Sequence, residues 1–149
     1  PGVDPRRVGL FGGSQAGWVI PQAARLSGAA FMIMLVGPAV TVGQEVYYSR
    51  FAEETSTPLG QLKGLLATYK GPIGFDPRAD LEALDIPGLW LLAGADRSIP
   101  TPETVAVLDE LIAGGKRYSR KIYPGAPHSL QGVNIWPDVD GWLRLTFAR

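Results

Sequence analysis

Three uninterrupted apolar runs constrain this chain more than anything else in it: VGLF (Val8 to Phe11), FMIMLVG (Phe31 to Gly37) and GLWLLAG (Gly88 to Gly94). A strand with one face in water alternates polar and apolar residues. A strand without alternation needs cover on both faces, which is the condition inside a parallel sheet. The run SRKIYPG (Ser119 to Gly125) reads as a fourth, more exposed strand. Helical patterns fall between the strands. Ile20, Ala23, Ala24 and Ser27 keep the spacing of one helical face up to Gly28, a natural stop. Pro21 inside that stretch predicts a kink or an irregular first turn. Pro102 suits a first helical turn, with Val105, Leu108, Leu111 and Ile112 on one face before Gly114 and Gly115. Ile135, Val139, Trp142, Leu143 and Phe147 form the stripe of a last helix. Strands alternating with helices predict an α/β fold, with a mostly parallel sheet of about four strands flanked by helices.

The link from residue 38 to residue 87 is too long for a simple crossover. Two helices are expected in it, over 42–54 and 58–70, the second with Leu59, Leu62, Leu66 and Tyr69 on one side. We read it as a helical cap inserted into a single domain spanning residues 1–149. A chain of 149 residues buries roughly two thirds of its unfolded surface, enough for one core.

Several classes of function are set aside by composition. Fourteen basic residues balance fourteen acidic ones without a block of like charge, so the footprint of a nucleic-acid binder is missing. No stretch approaches about eighteen consecutive apolar residues, and the start PGVDPRR has no apolar signal core, so no membrane span is expected. The absence of cysteine removes disulfides and thiolate metal sites but does not choose a compartment. The first residue is Pro rather than Met, and a processed, cloned or truncated start is expected.

Chemistry concentrates in GGSQAGWVIP (Gly12 to Pro21). An apolar strand, a glycine turn, Ser14 and a helix follow one another as a nucleophile elbow demands. A serine on so sharp a turn sits in strained backbone, and the chain passes so close that the flanking positions tolerate little beyond hydrogen or methyl. Gly12, Ala16 and Gly17 meet that requirement. The turn aims the amide of Gln15 at the space above Ser14, where it can hold an oxyanion. A serine behind a glycine-rich turn also caps a helix, so this window alone supports both readings. A serine hydroxyl needs a base, and the chain has one histidine, His128 in YPGAPHSL. The imidazole needs an acceptor to fix its tautomer, and Asp96 follows the third strand in LLAGADRSIP. An aspartate there also forms turns. Ser14, Asp96 and His128 nevertheless each lie just beyond a different predicted parallel strand.

GGSQAGWVIP, LVGPAV, LWLLAGADRSIP and YPGAPHSL together resemble the C-terminal half of an α/β-hydrolase. The likeness is to bacterial members of the serine-aminopeptidase-like and dienelactone-hydrolase-like branch, whose elbows often read GHSQGGW followed by proline. The resemblance implies Ser14 as nucleophile, Asp96 as triad acid, His128 as base, residues 38–87 as the variable cap, and hydrolysis of esters or related acyl compounds without metal or organic cofactor. Two features depart from the family pattern. Ala16 stands where a glycine is usual, and the roughly four strands that precede the elbow, with the loop giving a second oxyanion amide, are absent from this chain.

Two functional readings follow. In the first the chain is a serine hydrolase of small acyl esters, with Trp18, Tyr47, Tyr48, Phe51 and Tyr69 lining an apolar pocket or serving as plain core. In the second it is a catalytically weak hydrolase half that acts as an interaction module. The unpaired edge of strand 8–11 is expected to seek another strand, giving a homodimer.

Overall fold

A computed structural model of the protein describes residues 2–55, 57–62 and 64–148. Strands β1 (Leu10–Gly13), β2 (Met32–Leu35), β3 (Gly88–Ala93) and β4 (Tyr118–Tyr123) form one sheet in the order β1-β2-β3-β4. Every neighbouring pair is parallel. The helices are α1 (Ala16–Ser27), α2 (Val42–Glu54), α3 (Arg78–Ala83), α4 (Thr101–Ala113) and α5 (Trp136–Phe147). The α/β fold with four parallel strands expected from the apolar runs is the fold observed.

Successive strand residues point to opposite faces, so the unbroken runs feed two cores. Met32, Met34, Trp90 and Leu92 pack with Ile20 and Ala24 of α1, Leu81 of α3 and Leu108 and Leu111 of α4. Ile33, Leu89 and Leu91 face the other side and pack with Val139, Trp142 and Leu143 of α5. The first strand departs from this pattern. It starts two residues later than its apolar run and takes in Gly12 and Gly13, which pair with Met34 and Leu35. Its outer edge has no partner strand among the described residues. Phe11 there is half exposed and stacks on Trp136 at 6.1 Å.

Helix α1 begins with a tightened turn. Gly17 N donates to Ser14 O at 2.9 Å and Trp18 N to Gln15 O at 3.0 Å, so three-residue spacing replaces four before the helix runs on past Pro21 to left-handed Gly28.

Between β2 and β3, α2 occupies the expected residues behind a capping box of Thr41 and Gln44. The continuous helix expected over 58–70 does not form. Two short 3-10 turns, Leu59–Gln61 and Leu65–Thr68, stand in its place. They are separated at Gly64, whose φ of +83° is left-handed and ends any right-handed helix. The apolar spacing was nonetheless real, because Leu62 and Leu66 are buried against Tyr48 and Ala52 of α2. The short α3 was not expected. Its Leu81 joins the main core, and its Asp80 pairs with Arg25 of α1.

Candidate active site

All strands are parallel, so their carboxyl ends share one end of the sheet, where open α/β sheets form sites. Ser14 follows β1 directly, Asp96 lies just past β3, and His128 lies just past β4. Ser14 has φ +54°, an unfavourable left-handed conformation for a residue with a side chain. Two packed contacts hold the turn. A Cβ added at Gly12 would lie 2.7 Å from Ala16 Cβ and 3.0 Å from Ile20 Cδ1, and one at Gly17 would lie 2.4 Å from Pro38 O. Small residues on both sides of Ser14 are therefore a steric condition of this turn, as the sequence implied. The amide of Gln15 makes no hydrogen bond among the described residues and remains able to donate.

The side chains meet in one chain of contacts. His128 Nε2 is 3.2 Å from Ser14 Oγ, and His128 Nδ1 is 2.9 Å from Asp96 Oδ2 and 3.1 Å from Oδ1. The Asp96 side chain is fully buried. Its Oδ1 also accepts the amides of Ser98 and Ile99, both at 2.8 Å. The hydrogen bond that His128 Nδ1 donates to the Asp96 carboxylate holds the imidazole above its ordinary value. Burial opposes the shift, and the charges of Asp96, Glu45 and Glu53 add to it. Burial pushes the Glu45 carboxyl up in turn.

A cavity of about 480 Å³ opens beside this chain of contacts, with Ser14 and His128 in its wall next to Val36, Leu130, Ile135 and Trp136. Val36 (φ +45°) and Leu130 (φ +52°) are, with Ser14, the non-glycine residues in left-handed backbone among those described. Strain of this kind collects where surrounding structure over-determines a site. None of the five aromatic residues named from the sequence is in the wall of this cavity. The Trp18 indole donates to Val40 O at 2.9 Å and ties α1 to the segment after β2. The tilted rings of Tyr47 and Tyr69, with centroids 5.1 Å apart, lie along a separate groove with Val46 and Arg50. Phe51 is exposed on α2, and Tyr48 is buried with its hydroxyl on Asp96 O at 2.9 Å. The reason lies in α2: each step along a helix turns about 100°, so adjacent tyrosines look in different directions. Half of the residues that do line the cavity are aliphatic, and most come from loops. The available signal was position, since Val36 lies just past the carboxyl end of a strand. Another hollow of about 430 Å³, lined by Arg7, Phe31 and Phe147, shares no residue with the Ser14 cavity. Among the described residues no group of three or more histidines and carboxylates gathers as a metal site would require.

No family model matches the chain, and no curated protein matches it. Solved structures do. A Mycobacterium tuberculosis puromycin-hydrolyzing peptidase superposes with a TM-score of 0.60 at 18% identity over 97% of this chain and 22% of its own. Porphyromonas gingivalis dipeptidyl peptidase 4 gives 0.63 at 16% identity, over 97% of this chain and 20% of its own. A putative dienelactone hydrolase from Klebsiella pneumoniae subsp. pneumoniae MGH 78578 gives 0.59 at 20% identity, over 97% of this chain and 52% of its own. At these identities the likeness is one of fold. The chain carries an α/β-hydrolase-like fold and spans about a fifth to a half of the length of these three proteins that share it.

Proposed function

We propose that the protein is a serine hydrolase that cleaves small acyl esters through an acyl-enzyme intermediate, with Ser14, His128 and Asp96 as its triad. The observation that carries this reading is the continuous set of contacts from Ser14 Oγ to His128 Nε2 and from His128 Nδ1 to Asp96. It is mounted on a strained turn at the carboxyl end of a parallel sheet.

The chemistry follows from the geometry. Ser14 Oγ adds to the acyl carbonyl carbon while its proton passes to His128 Nε2. Asp96 keeps the other proton on Nδ1 and stabilises the imidazolium without taking that proton. The negative charge that develops on the carbonyl oxygen is met by the Gln15 amide at the start of α1. When the intermediate collapses, the ester C–O bond breaks, the Nε2 proton goes to the departing alkoxide, and the acyl group stays on Ser14. Water repeats the sequence: it gives its proton to Nε2, attacks the acyl carbon, and Ser14 leaves with that proton. The cavity walls of Val36, Leu130 and Ile135 favour a short apolar acyl group. A peptidase reading draws on the two neighbours named as peptidases.

Wild-type protein and Ser14→Ala, assayed with p-nitrophenyl acetate and with an aminoacyl p-nitroanilide, test both readings. Ester hydrolysis that disappears in Ser14→Ala is the expected result. Anilide cleavage exceeding ester cleavage selects the peptidase reading. Equal ester rates in the two proteins reject a nucleophilic Ser14.

A further inference from the structure

The buried Asp96 is held from more sides than its contact with His128 requires. Its carboxylate accepts two amides of its own loop, and its main-chain carbonyl accepts the hydroxyl of Tyr48 at 2.9 Å. That hydroxyl is the single donor to this carbonyl among the described residues. Tyr48 is 4% exposed, and burial pushes its phenol up to about 12, so it stays a donor throughout the working pH range. The next residue, Arg97, reaches the same helix. Its guanidinium donates to the carbonyls of Ala52 and Thr55, each at 2.9 Å, and of Thr57 at 3.2 Å. The Ala52 and Thr55 oxygens lie at the C-terminal end of α2, where carbonyls lack helical partners and the helix dipole favours a cation, and Thr57 lies just beyond it. Helix α2 is thus fastened to the loop of Asp96 at its middle and at its end.

We propose that Tyr48 and Arg97 are positioning residues for the triad: they hold the main chain of the Asp96 loop against α2 so that the carboxylate meets His128 Nδ1. This deepens the serine-hydrolase reading and rests on it for its catalytic consequence. With the Tyr48 hydroxyl gone, a buried carbonyl loses its donor and the loop gains freedom to shift. The Asp96 to His128 hydrogen bond then weakens, and the imidazole returns toward its ordinary value. The charges facing His128 are those of Asp96 on its own loop and of Glu45 and Glu53 on α2. Tyr48→Phe leaves all three in place, so a change in His128 reports geometry rather than lost charge.

His128 is the only histidine of the chain, so one imidazole Cε1 proton resonance, followed by NMR against pH, reads it without ambiguity and without any substrate. In Tyr48→Phe its midpoint is expected to fall by about 0.5 pH. With p-nitrophenyl acetate, kcat is expected to fall about tenfold while KM stays within about twofold. Arg97→Lys keeps the charge but not the planar fork, and is expected to move the midpoint the same way by less. It also serves if Tyr48→Phe does not fold. A folded Tyr48→Phe, or a folded Arg97→Lys in its place, that titrates at the wild-type midpoint overturns the proposal even if its melting temperature drops. A wild-type protein without hydrolytic activity would instead defeat the enzymatic reading and leave the NMR comparison to decide the positioning role.

Discussion

Replacing Gly17 by alanine tests how far the elbow depends on close approach of two backbone segments. The added Cβ would lie 2.4 Å from Pro38 O and 2.6 Å from Pro38 N and Cδ, whereas ordinary contact begins at 3.4 Å. Helix α1 or the segment after β2 must therefore retreat by about 1 Å. The contacted atoms belong to backbone and a proline ring, so no flexible side chain can swing away. Overpacking of this kind costs about 1–3 kcal/mol. Alanine recovers about 1 kcal/mol of helix propensity, which leaves a net loss of up to about 2 kcal/mol. For a chain of this size each kcal/mol moves Tm by about 2–4 °C, so calorimetry should show a fall of up to about 8 °C. The kinetic effect should be larger, because Gly17 follows Ser14 and Gln15 in the same tight turn, and a 1 Å misplacement can cost about a hundredfold in rate. Gly141→Ala in α5 is the control. Nothing lies within 4 Å of its added Cβ, so it should gain about 0.5–1 kcal/mol and leave p-nitrophenyl acetate hydrolysis unchanged. If Gly17→Ala is as stable as wild type and hydrolyses the ester at the wild-type rate, the steric account of the elbow is wrong.

Other outcomes follow from the same geometry. In the proposed mechanism His128 acts as a base only when neutral, and Asp96 holds it above its ordinary value of about 6.5. The acidic limb of kcat/KM should therefore lie above pH 6.5, and Asp96→Asn should move it down while cutting kcat. A limb at or below 6.5 in wild type would contradict the hydrogen bond. The same pair contributes stability that is fully present below about pH 6.5 and is lost as pH rises through the raised value, so urea midpoints in wild type but not Asp96→Asn should decline across that window. If the open edge of β1 pairs with a second copy, as the sequence reading expects, light scattering at micromolar concentration gives twice the mass of one chain. A single-chain mass refutes that pairing.

Much of this architecture is legible in the sequence because burial on both faces leaves an unbroken apolar signature, as in Phe31 to Gly37 and Gly88 to Gly94. The meeting of Ser14, Asp96 and His128 is legible for a related reason: parallel strands put every carboxyl end at one end of the sheet, so residues just past strands are brought together. What stays hidden is local backbone. Gly12 and Gly13 read as a turn, yet they extend the β1 ladder. Leu59, Leu62 and Leu66 read as a helix face, yet short 3-10 turns broken at left-handed Gly64 bury Leu62 and Leu66 just as well. Helix α3 has six residues, too few for a periodic signal. The wall of the Ser14 cavity is not legible from the aromatic residues, which advertise contact area while saying nothing of direction. Tyr48 turned inward to Asp96, Tyr47 turned to Tyr69, and the cavity wall fell to Val36 and Leu130 in backbone conformations that no residue type announces.

The claim on which everything else depends is that Ser14 is a nucleophile activated by His128. Reaction with a fluorophosphonate probe, followed by peptide mass spectrometry, tests it without assuming a substrate. The account predicts one phosphonyl adduct, on Ser14, absent in Ser14→Ala and slowed by about 10³-fold or more in His128→Ala. Unmodified wild-type protein, or an adduct that persists in Ser14→Ala, would contradict it.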